Sequence, residues 1–364
     1  MIRQESKKEP LIHLTKRANV SLKFSILARV IAIFGALVFC GILMMILTGE
    51  NPVELYASMF SGAFGSATRI WTLFNRTAFL LGIALALTPA FRMKFWNCGG
   101  EGQTLIGALA TTAVMFYFGE SLPLPLLFFV MLLASVAAGA IWGVIPAVFK
   151  ALFGTNETLF TLMMNYISMQ IVRYSLKQWV TDGTTTLPTM PAYRFPKLFG
   201  QDYLLTIIFM LLICALMYVY FKYSKQGYEI SVVGESGKTA KYIGINVRRV
   251  IIRTMILSGA ICGFVGMFLV ANGSCTITEN IVAGRGFTAI LISWLAKFNP
   301  LIMILTSFLV AFLDVGAGQI STDFRVDTSI CEILTAIILF FIIACEFFIQ
   351  YKIHFRKSHK EEQK

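Results

Sequence analysis

Four consecutive stretches decide the fold: AFLLGIALALTPAF at 78–91, RMKFW at 92–96, NCGGEGQ at 97–103 and TLIGALATTAVMFYF at 104–118. Two apolar runs flank a segment that packs Asn97, Glu101 and Gln103 among glycines. A carboxylate and two amides beside an apolar helix are unfavourable in lipid. Bare backbone at membrane depth is tolerated only when it is buried in protein or lines a cavity. The segment therefore reads as a broken helix near a translocation path. The plainer alternative is a cytoplasmic turn in which Glu101 favours a helix N-terminus.

The composition of the 364-residue chain supports the membrane reading. Hydrophobic residues make up 57% and charged residues 14%, against about 45–50% and about 25% in soluble domains. Mean hydropathy is +0.74. A soluble surface cannot be built from so few charges, and little chain remains for a soluble catalytic domain. The net charge of +12 reads as lysine and arginine gathered on one membrane face rather than as nucleic-acid binding. The seven cysteines form no CxxC pair, and most lie in apolar runs, so no disulfide framework is expected. His13, His354 and His359 all fall in polar terminal segments, leaving no histidine for a metal site or proton relay within the membrane.

A bilayer-crossing helix needs about 20 mainly apolar residues. Ten segments qualify or nearly qualify: 25–48, 78–91, 103–118, 123–149, 157–172, 203–222, 250–271, 286–296, 300–317 and 329–350. The first is too long and too far along to be an ordinary signal peptide. With the N-terminus placed in the cytoplasm, 22 of the 31 Lys and Arg residues fall on cytoplasmic segments and eight fall outside. This bias favours an all-α polytopic protein of about ten spans with both termini cytoplasmic. Segments 78–91 and 286–296 are short, and short segments at related positions of two halves point to an inverted repeat. Spans two to five and seven to ten would form the halves.

Thr158, Thr161, Asn165 and Ser168 lie three, four and three residues apart, on one face of the fifth span. They read as hydrogen-bonding groups for a polar solute in transit or as ties between helices. Gly259 and Gly263 form a GxxxG motif, with Gly266 three residues on, as in close helix packing. Asp314, Glu332 and Glu346 lie nearer a membrane face than its centre, where solvation explains them better than proton transfer. The run Gly234-Glu235-Ser236-Gly237-Lys238-Thr239 imitates a phosphate-binding loop. Val232 stands where that pattern requires glycine, and the loop 223–249 is too short for a nucleotide-binding unit. The same loop suits a docking segment, with a short helix over 240–245 ended by Gly244.

Together these segments resemble the permeases of bacterial sugar and nucleoside ABC importers, the ribose-permease-like branch of the branched-chain amino acid permease superfamily. Asn97-Cys98-Gly99-Gly100-Glu101-Gly102-Gln103 resembles their N-I-G-x-E-G-Q signature. Asn156-Glu157 with Thr161-Leu162-Met163-Met164-Asn165-Tyr166 resembles N-E-x-x-x-T-L-M-x-N-Y. Gly234-Glu235, Ala240-Lys241-Tyr242 and Gly244-Ile245-Asn246-Val247 resemble the coupling loop, and Gly286-Phe287-Thr288-Ala289-Ile290 with Asn299-Pro300-Leu301 resembles the late G-F-T-A-I…N-P-L block. The four blocks run in order from about residue 70 to 345.

The resemblance implies a non-enzymatic, multi-pass permease of the bacterial plasma membrane that carries no cofactor or metal. It implies four kinds of partner: the lipid bilayer, a second permease, a cytoplasmic ABC ATPase holding ATP–Mg, and an extracytoplasmic solute-binding lipoprotein. Nucleic acid is not among them. The T-L-M-x-N-Y form and long basic N-terminus lean toward nucleosides, with a different chain as second permease; pentoses and simple sugars are the alternative. Asn97, Glu101, Gln103, Thr161, Asn165, Ser168 and Phe287 become pathway candidates. Gly234, Glu235, Ala240 and Gly244 become ATPase-coupling candidates. The chain divides into a basic segment 1–24, a permease domain 25–350 with its coupling loop 223–249, and a tail 351–364. Two residues depart from the pattern: Cys98 replaces an aliphatic residue, and Trp294 sits where small packing residues are expected. An ion-coupled secondary transporter is the rival mechanism, disfavoured by the lack of a central carboxylate. A membrane enzyme would need clustered catalytic groups, and none is visible.

Overall fold

The computed structural model describes residues 12–17, 21–180 and 186–355. Most of the basic N-terminal segment, the tail beyond 355 and part of the 173–202 loop lie outside them. The chain forms two compact units, Met1–Ala63 with Leu313–Lys364, and Phe64–Phe312.

The first unit holds α1 (Leu22–Thr48), α2 (Pro52–Phe64) up to Ala63, the end of α12 (Pro300–Phe324) and α13 (Thr328–Gln350). Two strands, β1 (Ile12–Lys16) and β2 (Tyr351–Phe355), pair antiparallel, with Ile12 opposite Phe355 and Lys16 opposite Tyr351. Arg29 of α1 pairs with Glu346 of α13, so one proton-carrier candidate is a partnered anion. Asp314 and Glu332 are exposed. Asp327 caps α13 by accepting the Ser329 N–H at 2.7 Å, which holds its carboxyl below the ordinary value.

The second unit contains α3 (Ala67–Arg92), α4 (Gly100–Phe118), α5 (Leu124–Phe153), α6 (Glu157–Trp179) and α7 (Leu204–Tyr223). After these come α8 (Lys225–Glu235), α9 (Gly237–Tyr242), α10 (Val247–Phe268) and α11 (Arg285–Leu295). A π-helical turn, Leu269–Ser274, extends α10. Each of the ten segments read from the sequence falls on a helix. Among the described residues, seven helices are long and apolar enough to cross a membrane.

Several boundaries differ from the sequence reading: α4 starts at Gly100, α6 runs on to Trp179 and α12 to Phe324, and two further differences bear on the site. The segment expected at 78–91 is the latter part of a 26-residue helix. Ser66 caps it by accepting the Arg69 N–H. Thr72 and Thr77 donate to the carbonyls of Thr68 and Leu73, so polar side chains that interrupt the apolar run do not interrupt the helix. Only α11, with 11 residues, remains short. At 1.5 Å per residue it spans about 16 Å, roughly half of a bilayer core. The helix expected at 240–245 lies at 237–242, because Ser236 caps its start through the Thr239 N–H.

The core of this unit is backbone packed on backbone. A Cβ on Gly263 would lie 2.1 Å from the Ser135 carbonyl oxygen, and one on Gly259 would lie 2.2 Å from that of Gly139. A Cβ on Gly107 would lie 2.4 Å from the Gly263 Cα, and one on Gly266 2.2 Å from the Thr104 oxygen. The GxxxG motif thus joins α10 to α5 and α4 at once. Small residues let helices approach this closely and gain dispersion contact where lipid offers no hydrophobic drive.

Candidate functional site

The corner between α3 and α4 is where the signature residues meet. Helix α3 closes with a paired carbonyl clamp: Phe95 N–H donates to Ala90 O at 2.9 Å and Lys94 N–H to Phe91 O at 2.9 Å, with Lys94 at φ 59°. Helix α11 ends identically, through Phe298 N–H to Ser293 O and Lys297 N–H to Trp294 O, both 3.0 Å, with Lys297 at φ 51°. These are Schellman endings, with lysine in the left-handed position that glycine usually occupies. The two ends share one aromatic cluster. Trp96 stacks on Trp294 with centroids 5.5 Å apart, and Phe91 and Phe298 stack at 6.4 Å. Trp294 therefore has a definite partner, Trp96, across the helix ends.

From Trp96 the chain runs back along α11, opposite to its direction, and reaches the start of α11 at Glu101. Glu101 is 3% exposed. One carboxylate oxygen accepts the Gly284 N–H at 2.8 Å and the other accepts the Gly286 N–H at 2.7 Å. The carboxylate lies in the first turn of α4 and caps the first turn of α11. Two positive helix ends thus compensate one buried charge. Gly286 is required here, since its Cβ would lie 2.4 Å from the Glu101 nitrogen.

The remaining candidates close a second ring. Asn97 and Gln103 exchange amide hydrogen bonds at 3.4 and 3.3 Å, and Asn97 also donates to Ser258 of α10 at 3.2 Å. Asn165 of α6 accepts the Gly102 N–H and donates to the Cys98 carbonyl, both at 2.9 Å. Thr161 accepts the Cys98 N–H at 3.1 Å. Ser168 donates to Asn165 O at 2.6 Å. All six polar candidates are buried and bonded, while Phe287 is exposed on α11. The structure brings Asn97, Gln103, Thr161, Asn165 and Ser168 together, with Glu101 one turn away binding α11. Ser258 was not singled out in the sequence, and Gly284 and Gly286 were legible only as the glycines that open the short segment and its motif block, not as donors to Glu101. No local pattern marks Ser258, whose role depends on contact across 161 residues.

Asn165→Ala should leave the Gly102 N–H and Cys98 C=O unpartnered. Buried orphan groups cost about 1–3 kcal/mol each, so the variant should melt several degrees lower in detergent. A melting temperature equal to the parent's would show that water replaces the carboxamide.

The coupling candidates sit at a helix–cap–helix element. Gly234 packs flush on the end of α3: its Cβ would lie 2.1 Å from the Arg92 carbonyl oxygen. Ile230 of α8 is buried with Ala90, Met93 and Phe95 from the α3 end and with Val250 and Met255 of α10. Ala240 is fully buried. Helix α9 closes with Ile245 N–H to Ala240 O at 2.9 Å and Gly244 N–H to Lys241 O at 3.1 Å, and Gly244 takes φ 84°. Glu235 is exposed, and the turn lifts Tyr242 to 91% exposure.

Residues 69–343 match the family model described as branched-chain amino acid transport system / permease component. The chain belongs to this permease family. The permease is 30% identical over 313 residues to the guanosine ABC transporter permease protein NupP of Bacillus subtilis, covering 83% of this chain and 88% of the relative. It is 28% identical over 340 residues to the glucose ABC transporter permease protein TsgB13 of Haloferax volcanii, covering 89% and 88%. It is 26% identical over 345 residues to the nucleoside ABC transporter permease protein NupB of Lactococcus lactis, covering 91% and 93%. This permease is a multi-pass, non-enzymatic component of an ABC transporter in the plasma membrane. ATP hydrolysis resides in a separate subunit, and a solute-binding protein belongs to the same kind of assembly.

Proposed function

We propose that this permease forms the channel of an ATP-driven importer for nucleosides or related small polar solutes. The observation that carries this reading is its identity to guanosine and nucleoside permeases over more than four-fifths of their length. A sugar importer is the second reading, favoured by the glucose permease relative. In both readings a second permease completes the channel, a different chain in the nucleoside reading, while a lipoprotein delivers solute and ATP–Mg binds the partner ATPase.

The Lys and Arg bias supports ten helical segments with both termini cytoplasmic, with α11 as a half-length segment. An inverted repeat of α3–α6 and α10–α13 rests on the opposite topologies that an offset of five spans between their starts gives the two halves, since α3 is not a short segment. The domains follow accordingly: segment 1–24, permease domain 25–350 and tail 351–364, with loop 223–249 facing the ATPase. In this reading Asn97, Glu101, Gln103, Thr161, Asn165 and Ser168 hold the helices that frame the pathway, and Phe287 lies on its exposed side.

Coupling follows from the α8–α9 element. Tyr242 and Ile243 project from the Gly244 turn toward the ATPase, while Gly234 rests on the α3 carbonyl end and Glu235 marks the joint. A displacement of α9 is passed through backbone contact to the corner that carries the signature residues. Coupling of two sites requires two global states with different contacts, and this contact path links the docking tip to the corner. Ala240→Leu with Gly244→Val should leave ATP hydrolysis no longer matched by uptake, or prevent assembly. Normal uptake in that double variant would refute the assignment.

The function is tested in proteoliposomes holding the permease pair, the ATPase and the binding protein. ATP-dependent uptake of labelled guanosine or uridine is the expected result. ATP-dependent uptake of pentose alone would replace the substrate. Uptake driven by an ion gradient and indifferent to ATP would replace the mechanism.

A further inference from the structure

Helix α6 has a buried polar face bonded to the α3–α4 corner and an opposite, exposed face on which polar side chains interrupt apolar ones. Thr161, Asn165, Ser168, Val172 and Leu176 point inward and are buried. The other face carries Met163, Tyr166, Gln170 and Tyr174, all exposed, with spacings of three, four and four residues. Tyr166 is 62% and Tyr174 66% exposed. Tyr166 lies about 14 Å and Gln170 about 20 Å along the helix from Glu157 at 1.5 Å per residue. Both therefore fall within the depth of a bilayer core about 30 Å thick.

The exposed faces of neighbouring helices provide an internal comparison. Helix α7 exposes Ile208, Leu211, Leu212, Leu216 and Val219, and α5 exposes Leu126, Phe129, Leu133 and Ile141. Those faces suit acyl chains. A carboxamide between two phenols does not, because hydrocarbon offers its donors and acceptors no partner. At Gln170 this face of α6 requires water or a polar partner. Helix α6 is also absent from the helices apolar enough to cross a membrane by composition, although its 23 residues are sufficient in length.

We infer that Tyr166, Gln170 and Tyr174 form the solute-contacting wall of the pathway, and that the solute is one with a planar heteroaromatic ring and hydroxyl groups. This rests on the importer reading above. Phenol rings offer flat faces on which a base can stack without sequence-like selectivity. Gln170 supplies one acceptor and two donors, suited to a base edge or a sugar hydroxyl. Such contacts are individually weak, as a wall that must release its solute requires. The buried face of α6 performs a different task, since its polar groups are bonded to the α3–α4 corner.

Two measurements on the complete reconstituted transporter test the wall. The first compares Gln170→Cys with Leu212→Cys, each against the parent's native cysteines, using a membrane-impermeant thiol reagent. Exposed, ionisable thiols react and lipid-buried ones do not, so Gln170→Cys should react about tenfold faster or more. Equal, slow reaction would overturn the inference and place lipid or a tightly packed partner helix against this face. The second compares uptake in Tyr166→Leu and Tyr166→Phe. Loss of one stacking ring should lower nucleoside uptake about tenfold in the leucine variant, with the phenylalanine variant near the parent. Unchanged uptake in Tyr166→Leu and Gln170→Leu would overturn it as well. If the parent imports pentoses and no nucleoside, the substrate reading fails, and the labelling result still decides whether this face is the wet wall.

Discussion

Gly263→Val should leave almost no folded permease in the membrane. The first carbon of any side chain at 263 would lie 2.1 Å from the Ser135 oxygen, 3.0 Å from the Ser135 carbonyl carbon and 3.2 Å from the Gly139 Cα. These are backbone atoms, which cannot rotate away as a long side chain can. Helices α10 and α5 would have to separate along their whole contact, and Gly107 of α4 would lose its seat on the Gly263 backbone. Overpacking a well-filled core costs about 1–3 kcal/mol even when side chains can yield, and here nothing can. Size-exclusion of detergent extracts should show loss of the monodisperse peak. Gly237→Ala is the matched control, because nothing lies within 4 Å of a Cβ there, and it should leave the peak unchanged. A parental melting temperature in Gly263→Val would mean that the helices are not in backbone contact.

Glu101→Ala should abolish transport and lower stability together. The change removes two charge-assisted hydrogen bonds, from Gly284 and Gly286, and leaves the part-buried Gly284 and the buried Gly286 N–H without acceptors. Bonds to charged groups are worth about 1.5–3 kcal/mol each, so a loss of about 3 kcal/mol or more is expected. Glu101→Gln keeps the shape and one acceptor oxygen, while its NH₂ faces a donor. It should fall between parent and alanine. Uptake should drop at least about tenfold in Glu101→Ala, since the start of α11 loses its attachment to α4 and about 1.4 kcal/mol already corresponds to tenfold. Thermal melting and uptake within a factor of about two of the parent would show that α11 is positioned by other contacts.

The signature segment was legible as important, but its two physical roles were not separable along the chain. Asn97 and Glu101 are four residues apart, yet Asn97 bonds within the corner and to α10, whereas Glu101 reaches forward 183 residues to Gly284. The polar stripe of α6 was legible from its spacing, and the structure assigns its partners: the backbone of Cys98 and Gly102. Stripes that serve a solute and stripes that serve another helix use the same residue types at the same period. Only the neighbour distinguishes them. Tyr166 was legible only as the last residue of the T-L-M-x-N-Y block, and Gln170 and Tyr174 were not marked, because the exposure of a helix face is not encoded locally.

The sequence by itself determined that the chain is a helical membrane protein, that its apolar segments fall where the helices lie, and that four ordered motif blocks place it among permeases. These follow from local composition, since transfer of each segment into hydrocarbon depends on its own residues. It also marked Gly259 and Gly263 as packing positions and Gly244 as a helix stop. Tertiary structure decided that α3 extends back to Ala67, that Trp294 is matched by Trp96, and that one carboxylate joins α4 to a half-length α11. Each depends on which groups meet after folding. A buried charge or an oversized indole is tolerable only when a partner far along the chain arrives at hydrogen-bonding or stacking distance, and no local rule contains that distance.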